Sequence, residues 1–216
     1  MRLTSTIRII LMATIAASSL MVQQVRAQGF TALVIGDSLS AAYGIREDQG
    51  WVALAEQELQ ERGYDIEFVN ASISGDTTVG GLRRLPDALE RFSPDLLIIE
   101  LGGNDGLRGY STNAMQKNIE DMARLALEQD AQVLILGMLI PSNYGQAYLN
   151  KFAQAFVDAA ENTDSALVPF FLEPIAHDRK YFQADGIHPT AQAQPLMLDH
   201  VMQPILEILE SAAVEP

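Results

Sequence analysis

Three side chains of this sequence have the types that acyl transfer requires, and each lies beside a turn residue. They are Ser38 in Gly36-Asp37-Ser38-Leu39-Ser40, and Asp185 and His188 in Asp185-Gly186-Ile187-His188-Pro189. A serine hydroxyl is a weak nucleophile until a base takes its proton, and a neutral imidazole suits that task near neutral pH. The imidazole works well only when an acceptor holds its other ring nitrogen. Asp185, three residues earlier in a tight turn, is near enough. The tetrahedral species formed by attack carries its charge on the former carbonyl oxygen, where the Ser38 N–H, the Gly75 N–H and the Asn104 side-chain amide are the available donors. Each residue alone has a plainer reading. Gly-Asp-Ser could cap a helix after a strand, Gly75 and Asn104 could be turn residues, and His188 could cap the last helix.

Strand-like runs alternate with helical periodicity along the chain. Phe30 to Ile35, Ile66 to Val69, Leu96 to Ile99, Val133 to Leu136 and Leu167 to Phe170 read as five strands. Leu96-Leu97-Ile98-Ile99 is apolar on both faces, as expected for a central strand covered by helices on each side. Between the strands, Trp51, Leu54, Ala55 and Leu59 mark a helix that Gly63 terminates. Val79, Leu82, Leu85, Leu89 and Phe92 mark another, which Pro86 is expected to break in two or to restart. Met115, Ile119, Met122 and Leu125 follow a start at Ser111 or Thr112, and Leu149, Phe152, Phe156 and Ala160 share one face. A last helix is expected from about Thr190, with a bend at Pro204.

This alternation predicts right-handed crossovers and one parallel sheet in a three-layer α/β/α sandwich. In such a sheet all strands end at one edge. Ser38 follows the first strand, Gly75 the second, Asn104 the third, and Asp185 with His188 the fifth. Four separate loops therefore converge on one crevice.

Composition narrows the rest. At 216 residues the chain can form one domain with a substantial core. Arg2 and Arg8 precede an apolar run from Ile9 to Val22, and Val25-Arg26-Ala27 offers a cleavage site, so residues 1–27 read as an export signal and 28–216 as the domain. That run is shorter than the roughly 20 residues needed to span a bilayer. The remainder has 11 basic residues against 28 acidic, a formal charge of −17, which disfavours nucleic acid and anionic lipid as partners. There is no cysteine, hence no disulfide, and export then points to a periplasmic or secreted protein held together by packing. His177, His188 and His200 are scattered, so no metal site is expected, and His177 and His200 read as exposed. Asp37, Asp76 and Asp105 read as acceptors that brace the loops.

The four blocks Gly36 to Ser40, Asn70 to Asp76, Gly102-Gly103-Asn104-Asp105 and Asp185 to Pro189 occur in the order found in the SGNH, or GDSL, hydrolases. The chain resembles that family over nearly all of its length after the signal, and especially its bacterial periplasmic thioesterase, lysophospholipase and arylesterase branch. The resemblance implies a flavodoxin-like five-stranded sheet in the order 2-1-3-4-5 and no cofactor. It also implies Ser38 as nucleophile, His188 as base, Asp185 as its orienter, and Ser38, Gly75 and Asn104 as the oxyanion hole.

For the substrate, Leu107 and Tyr110 in the glycine-flanked segment Gly106 to Tyr110, with Ile140, Pro141 and Tyr144 across from them, are candidate walls of an apolar trough for an acyl chain. The expected activity is hydrolysis of small-molecule carboxylic esters, with thioesters and lysophospholipids in reach, by a monomer. A carbohydrate O-acetylesterase of the same superfamily, with a short polar pocket, is the rival within enzymes. A non-catalytic flavodoxin-like binding domain is the rival outside them.

Overall fold

The computed structural model describes residues 29–214. The expected export signal and its cleavage point after Ala27 lie outside the described residues. Five strands, β1 (Phe30–Gly36), β2 (Ile66–Asn70), β3 (Leu96–Glu100), β4 (Gln132–Leu136) and β5 (Ala166–Val168), form one parallel sheet in the order β2-β1-β3-β4-β5. Side chains 32–35 of β1 and 96–99 of β3 have no exposed surface, because helices cover both sheet faces.

On one face α1 (Trp51–Glu61) packs against α6 (Gln194–Val214). On the other, α2 (Thr78–Phe92), α4 (Thr112–Leu127) and α5 (Gln146–Thr163) lie side by side, and the short α3 (Gly103–Leu107) joins β3 to α4. Strand order reverses at β1, which has β2 on one side and β3 on the other, so the crevice opens between the ends of β1 and β3. There Gly36 stands opposite Glu100 in register.

Several local expectations differ from the structure. α2 runs unbroken through Pro86, because Leu85 and Leu89 on either side of it are fully buried on one face. Their burial outweighs the roughly 3 kcal/mol cost of a mid-helix proline. Gly102 to Gly106 was expected as a loop, yet from Gly103 onward it is helical and carries Asn104 in its first turn. The last helix starts at Gln194 and not Thr190, since residues 190–193 form a turn closed by Ala193 N–H on the Thr190 carbonyl. Ser38 is not at a helix start either. It opens a series of turns to Gly44, where positive φ at Ala42 and Gly44 prevents a helix, and the chain first becomes helical in the single 3-10 turn Glu47–Gln49 just before α1. The fifth strand is Ala166–Val168 and not Leu167 to Phe170, because Pro169 has no N–H to continue the ladder. Two expected limits hold: Ser111 caps α4 by accepting from Ala114 N–H, and Gly63, at φ 91°, follows the end of α1.

Candidate active site

The crevice gathers side chains from the ends of four strands. After β1, Asp37 and Ser38 enter a turn closed by Ala41 N–H on the Asp37 carbonyl at 3.0 Å. Gly36 must be glycine for want of space. A Cβ there would lie 2.8 Å from Ser72 Oγ and 2.9 Å from Glu100 Oε2.

After β5 the chain runs irregularly to a hairpin-like loop that carries Asp185 and His188. Gln183 N–H donates to the His188 carbonyl at 2.8 Å, and Thr190 N–H to the Tyr181 carbonyl at 2.7 Å. The Arg179 guanidinium holds the turn from inside, donating to the carbonyls of Phe182 at 3.0 Å and Ala184 at 2.9 Å. The loop is thus tied at its base and its centre.

These two supports bring His188 Nε2 to 2.9 Å from Ser38 Oγ and His188 Nδ1 to 2.7 Å from Asp185 Oδ2. The other carboxylate oxygen of Asp185 accepts the backbone N–H groups of Ile187 at 2.9 Å and His188 at 3.0 Å. The bond to the imidazole, followed by those two amides, holds the Asp185 carboxyl well below the usual carboxylate range. It is therefore ionised and able to fix Nδ1 as a donor, which leaves Nε2 as the acceptor facing the serine. The ring of Tyr43 lies against His188 with centroids 4.3 Å apart. Gln183 Nε2 donates to the Tyr43 carbonyl at 2.7 Å, coupling the two loops.

Asn104 donates from Nδ2 to Asp37 Oδ2 at 2.9 Å, while Asp37 Oδ1 accepts from Leu39 N–H at 3.0 Å. Burial pushes the Asp37 carboxyl up to about 6, against these two hydrogen bonds. An amide nitrogen carries two hydrogens, so one N–H of Asn104 remains for another acceptor. Gly75 has φ 79°, a left-handed conformation suited to glycine, and its carbonyl accepts from Arg108 Nη2 at 3.0 Å. Among the described residues neither Ser38 N–H nor Gly75 N–H has a protein acceptor. The bracing role expected of the aspartates is visible: Asp105 accepts from Thr78 N–H and Oγ1 at 2.9 and 2.6 Å, and Asp76 from Arg84 Nε at 2.8 Å.

Ser38, Asn104 and His188 line one cavity of about 440 Å³. Leu107, Ile140 and Pro141 line it as expected from the sequence. Tyr110 and Tyr144 do not. The Tyr144 hydroxyl donates to the Leu107 carbonyl at 2.7 Å, and Tyr110 offers its carbonyl to the Tyr148 hydroxyl at 2.7 Å, so both serve the loop behind the wall. The sequence reading missed Met138, Leu139, Phe170, Leu172, Ala176, Phe182 and Ile187, which supply most of the apolar lining. Seven exposed large apolar side chains, Tyr43, Ile73, Val79, Leu107, Tyr110, Leu139 and Ile187, sit in loops, in the first turn of α2 or at the end of the short α3, at this same sheet edge. His200 is half-buried, within 3.1 Å of the Phe170 carbonyl, and only His177 is exposed as expected. Among the described residues no group of three potential metal ligands occurs, and no helix is long and apolar enough to cross a membrane.

A parallel 2-1-3-4-5 sheet with a serine, an imidazole and a carboxylate at its switch point is the architecture of an SGNH hydrolase. Residues 34–195 match the GDSL-like lipase/acylhydrolase family, and the chain belongs to it. It is similar to esterase TesA of Pseudomonas aeruginosa, with 47% identity across 94% of this chain and all of that protein. It is also similar to thioesterase 1/protease 1/lysophospholipase L1 of Escherichia coli K12, with 37% identity across 82% of this chain and 85% of that protein. Among solved structures, the psychrotrophic esterase EstA from Pseudoalteromonas sp., inhibited by monoethylphosphonate, superposes with a TM-score of 0.80. The identity there is 39%, covering 83% of this chain and 98% of that one.

Proposed function

We propose that the protein is an exported serine esterase that hydrolyses carboxylic esters of medium to long acyl chains through an acyl-enzyme. The observation that carries this reading is the unbroken relay Ser38–His188–Asp185 at the mouth of a mainly apolar cavity. Esters, thioesters and lysophospholipids present the same carbonyl chemistry, and the names of the two relatives span that range.

In the first half-reaction His188 Nε2 takes the Ser38 proton as Oγ bonds to the carbonyl carbon. The carbonyl π pair moves to oxygen, where the unclaimed N–H groups of Ser38 and Gly75 and the second N–H of Asn104 can receive it. Collapse breaks the bond to the leaving group, which departs with the proton held on His188. Water then repeats the sequence on the acyl-enzyme, giving up its proton to His188, and Ser38 recovers one as the acid leaves. Asp185 stays ionised throughout and balances the imidazolium.

The apolar lining suits an acyl chain better than the short polar pocket expected for a carbohydrate O-acetylesterase. The test is a panel of p-nitrophenyl esters from acetyl to palmitoyl, with Ser38→Ala as control. The expected result is highest kcat/KM beyond butyryl and loss of turnover in the folded variant. Normal turnover by Ser38→Ala would refute the nucleophile, and a strict preference for acetyl would favour the carbohydrate esterase. A periplasmic or secreted location accompanies this reading. It rests on the N-terminal signal pattern and is checked by fractionation of cells expressing the full chain.

A further inference from the structure

Glu100 takes no part in the scheme above, yet it is wholly buried at the end of β3, directly beneath the nucleophile turn. Its Oε2 accepts from Ser40 Oγ at 2.8 Å and from Asp37 N–H at 3.3 Å, while Oε1 is buried with no partner among the described residues. Ser40 is in turn fixed by Trp51 Nε1, which donates to its hydroxyl at 3.1 Å. One carboxyl oxygen therefore grips the chain both just before Ser38 and two residues after it. The same Asp37 carries the acceptor for Asn104.

We propose that Glu100 is a positioning residue for the catalytic turn, holding Asp37 and Ser40 together and through them setting both the Ser38 hydroxyl and the Asn104 amide. It does so as a neutral acid. Burial first, and the Asp37 charge second, push its carboxyl well above the usual range. An ionised carboxylate with one unpartnered buried oxygen would carry a large desolvation penalty. A proton on Oε1 leaves the Oε2 lone pairs for both donors. The groups that face this pair electrostatically are Asp76 from the loop after β2 and His188 from the loop after β5, both acting on Asp37. Arg84 reaches only the Gly36 carbonyl on this side, at 3.3 Å.

This inference rests on the esterase reading, and the experiment separates the two. Steady-state kinetics on p-nitrophenyl butyrate, pH profiles and fluorophosphonate labelling of Ser38 are compared for the parent, Glu100→Gln, Glu100→Leu and Ser40→Ala. Glu100→Gln keeps a neutral acceptor, so kcat stays within about threefold and the acid limb of the profile does not move. Glu100→Leu removes the grip, and misplacement by about 1 Å lowers kcat about 10²-fold while KM, set by the untouched cavity, stays within about twofold. Should that variant not fold, Ser40→Ala removes one of the two donors and is expected to lower kcat about fivefold at unchanged KM.

Unchanged kcat in both Glu100→Leu and Ser40→Ala, with an active parent, overturns the role of Glu100 alone. A Glu100→Gln variant as impaired as Glu100→Leu, or with its acid limb displaced, overturns the neutral acceptor. An inactive parent whose Ser38 does not label removes the esterase reading and this inference together.

Discussion

Asn104 donates its amide to Asp37 at 2.9 Å, so the loop after β3 is aimed by a carboxylate on the turn after β1. Asp37 is buried, and its raised pKa means that its charge opposes folding. The cost is absent below the ordinary value of 3.8 and complete above about 6. This is the sign opposite to that of an ion-paired aspartate. Asp37→Asn is therefore expected to melt above the parent at pH 7, by up to the equivalent of about 3 kcal/mol, with the difference vanishing toward pH 4. The same variant is expected to lose about tenfold in kcat, because one amide oxygen cannot serve both Leu39 and Asn104 as two carboxylate oxygens do. Thermal melts across pH, paired with ester kinetics, check both halves. Lower stability at pH 7 would contradict the argument.

Asp185 gives the contrasting case. Its carboxyl is held low by His188 and two backbone amides, so any stability it contributes is present above the ordinary carboxylate pKa and lost as pH falls through the lowered one. The side chain is 39% exposed, so solvent screens that contribution. Asp185→Asn is expected to leave the melting temperature at pH 7 nearly unchanged and to lower kcat about 10²- to 10⁴-fold, since the imidazole tautomer is no longer fixed. Retention of parent kcat would remove Asp185 from the relay.

What was legible in the chain follows from which signals are local. Four-residue apolar runs such as Leu96 to Ile99 mark strands buried on both faces, and a parallel sheet puts every following loop at one edge. Ser38, Gly75, Asn104 and His188 could therefore be gathered without coordinates. Glu100 was missed because an acidic residue at the end of an apolar run ordinarily marks a strand leaving the core. Only the register against Gly36 places it beneath the serine. Phe170, Leu172, Ala176 and Phe182 were missed because the segment after β5 has no period to read, although it forms one side of the cavity. Tyr144 was placed on that wall for its ring, whereas its hydroxyl decides its position by reaching the Leu107 carbonyl.

The cavity wall offers a test of acyl length. Ile140 lines the space beside Leu107 and is only partly buried, so a larger side chain there fills the trough without overpacking the sheet. Ile140→Trp is expected to raise KM for octanoyl and longer p-nitrophenyl esters about tenfold and to leave acetyl ester hydrolysis within about twofold, because only the longer chain needs the volume removed. An equal effect on all chain lengths would place the acyl group elsewhere.

The segment from Leu107 to Tyr110 is held from outside by two hydroxyls. Tyr144 donates to the Leu107 carbonyl and Tyr148 to the Tyr110 carbonyl, each at 2.7 Å, and both tyrosines come from the start of α5 or the turn before it. Their rings stack at 6.1 Å, and Tyr148 continues onto buried Phe152, so the hydroxyls are mounted on a rigid aromatic series. Removing both in Tyr144→Phe/Tyr148→Phe keeps that packing and deletes only the two bonds, at about 0.5–1.5 kcal/mol each. The expected outcome is faster tryptic cleavage after Arg108, a KM for long-chain esters raised a few-fold, and kcat for acetyl ester little changed, since Asn104 remains anchored to Asp37. Cleavage at the parent rate would show that the backbone bonds within the loop, Gly109 N–H to the Gly106 carbonyl and Tyr110 N–H to the Asp105 carbonyl, hold it unaided.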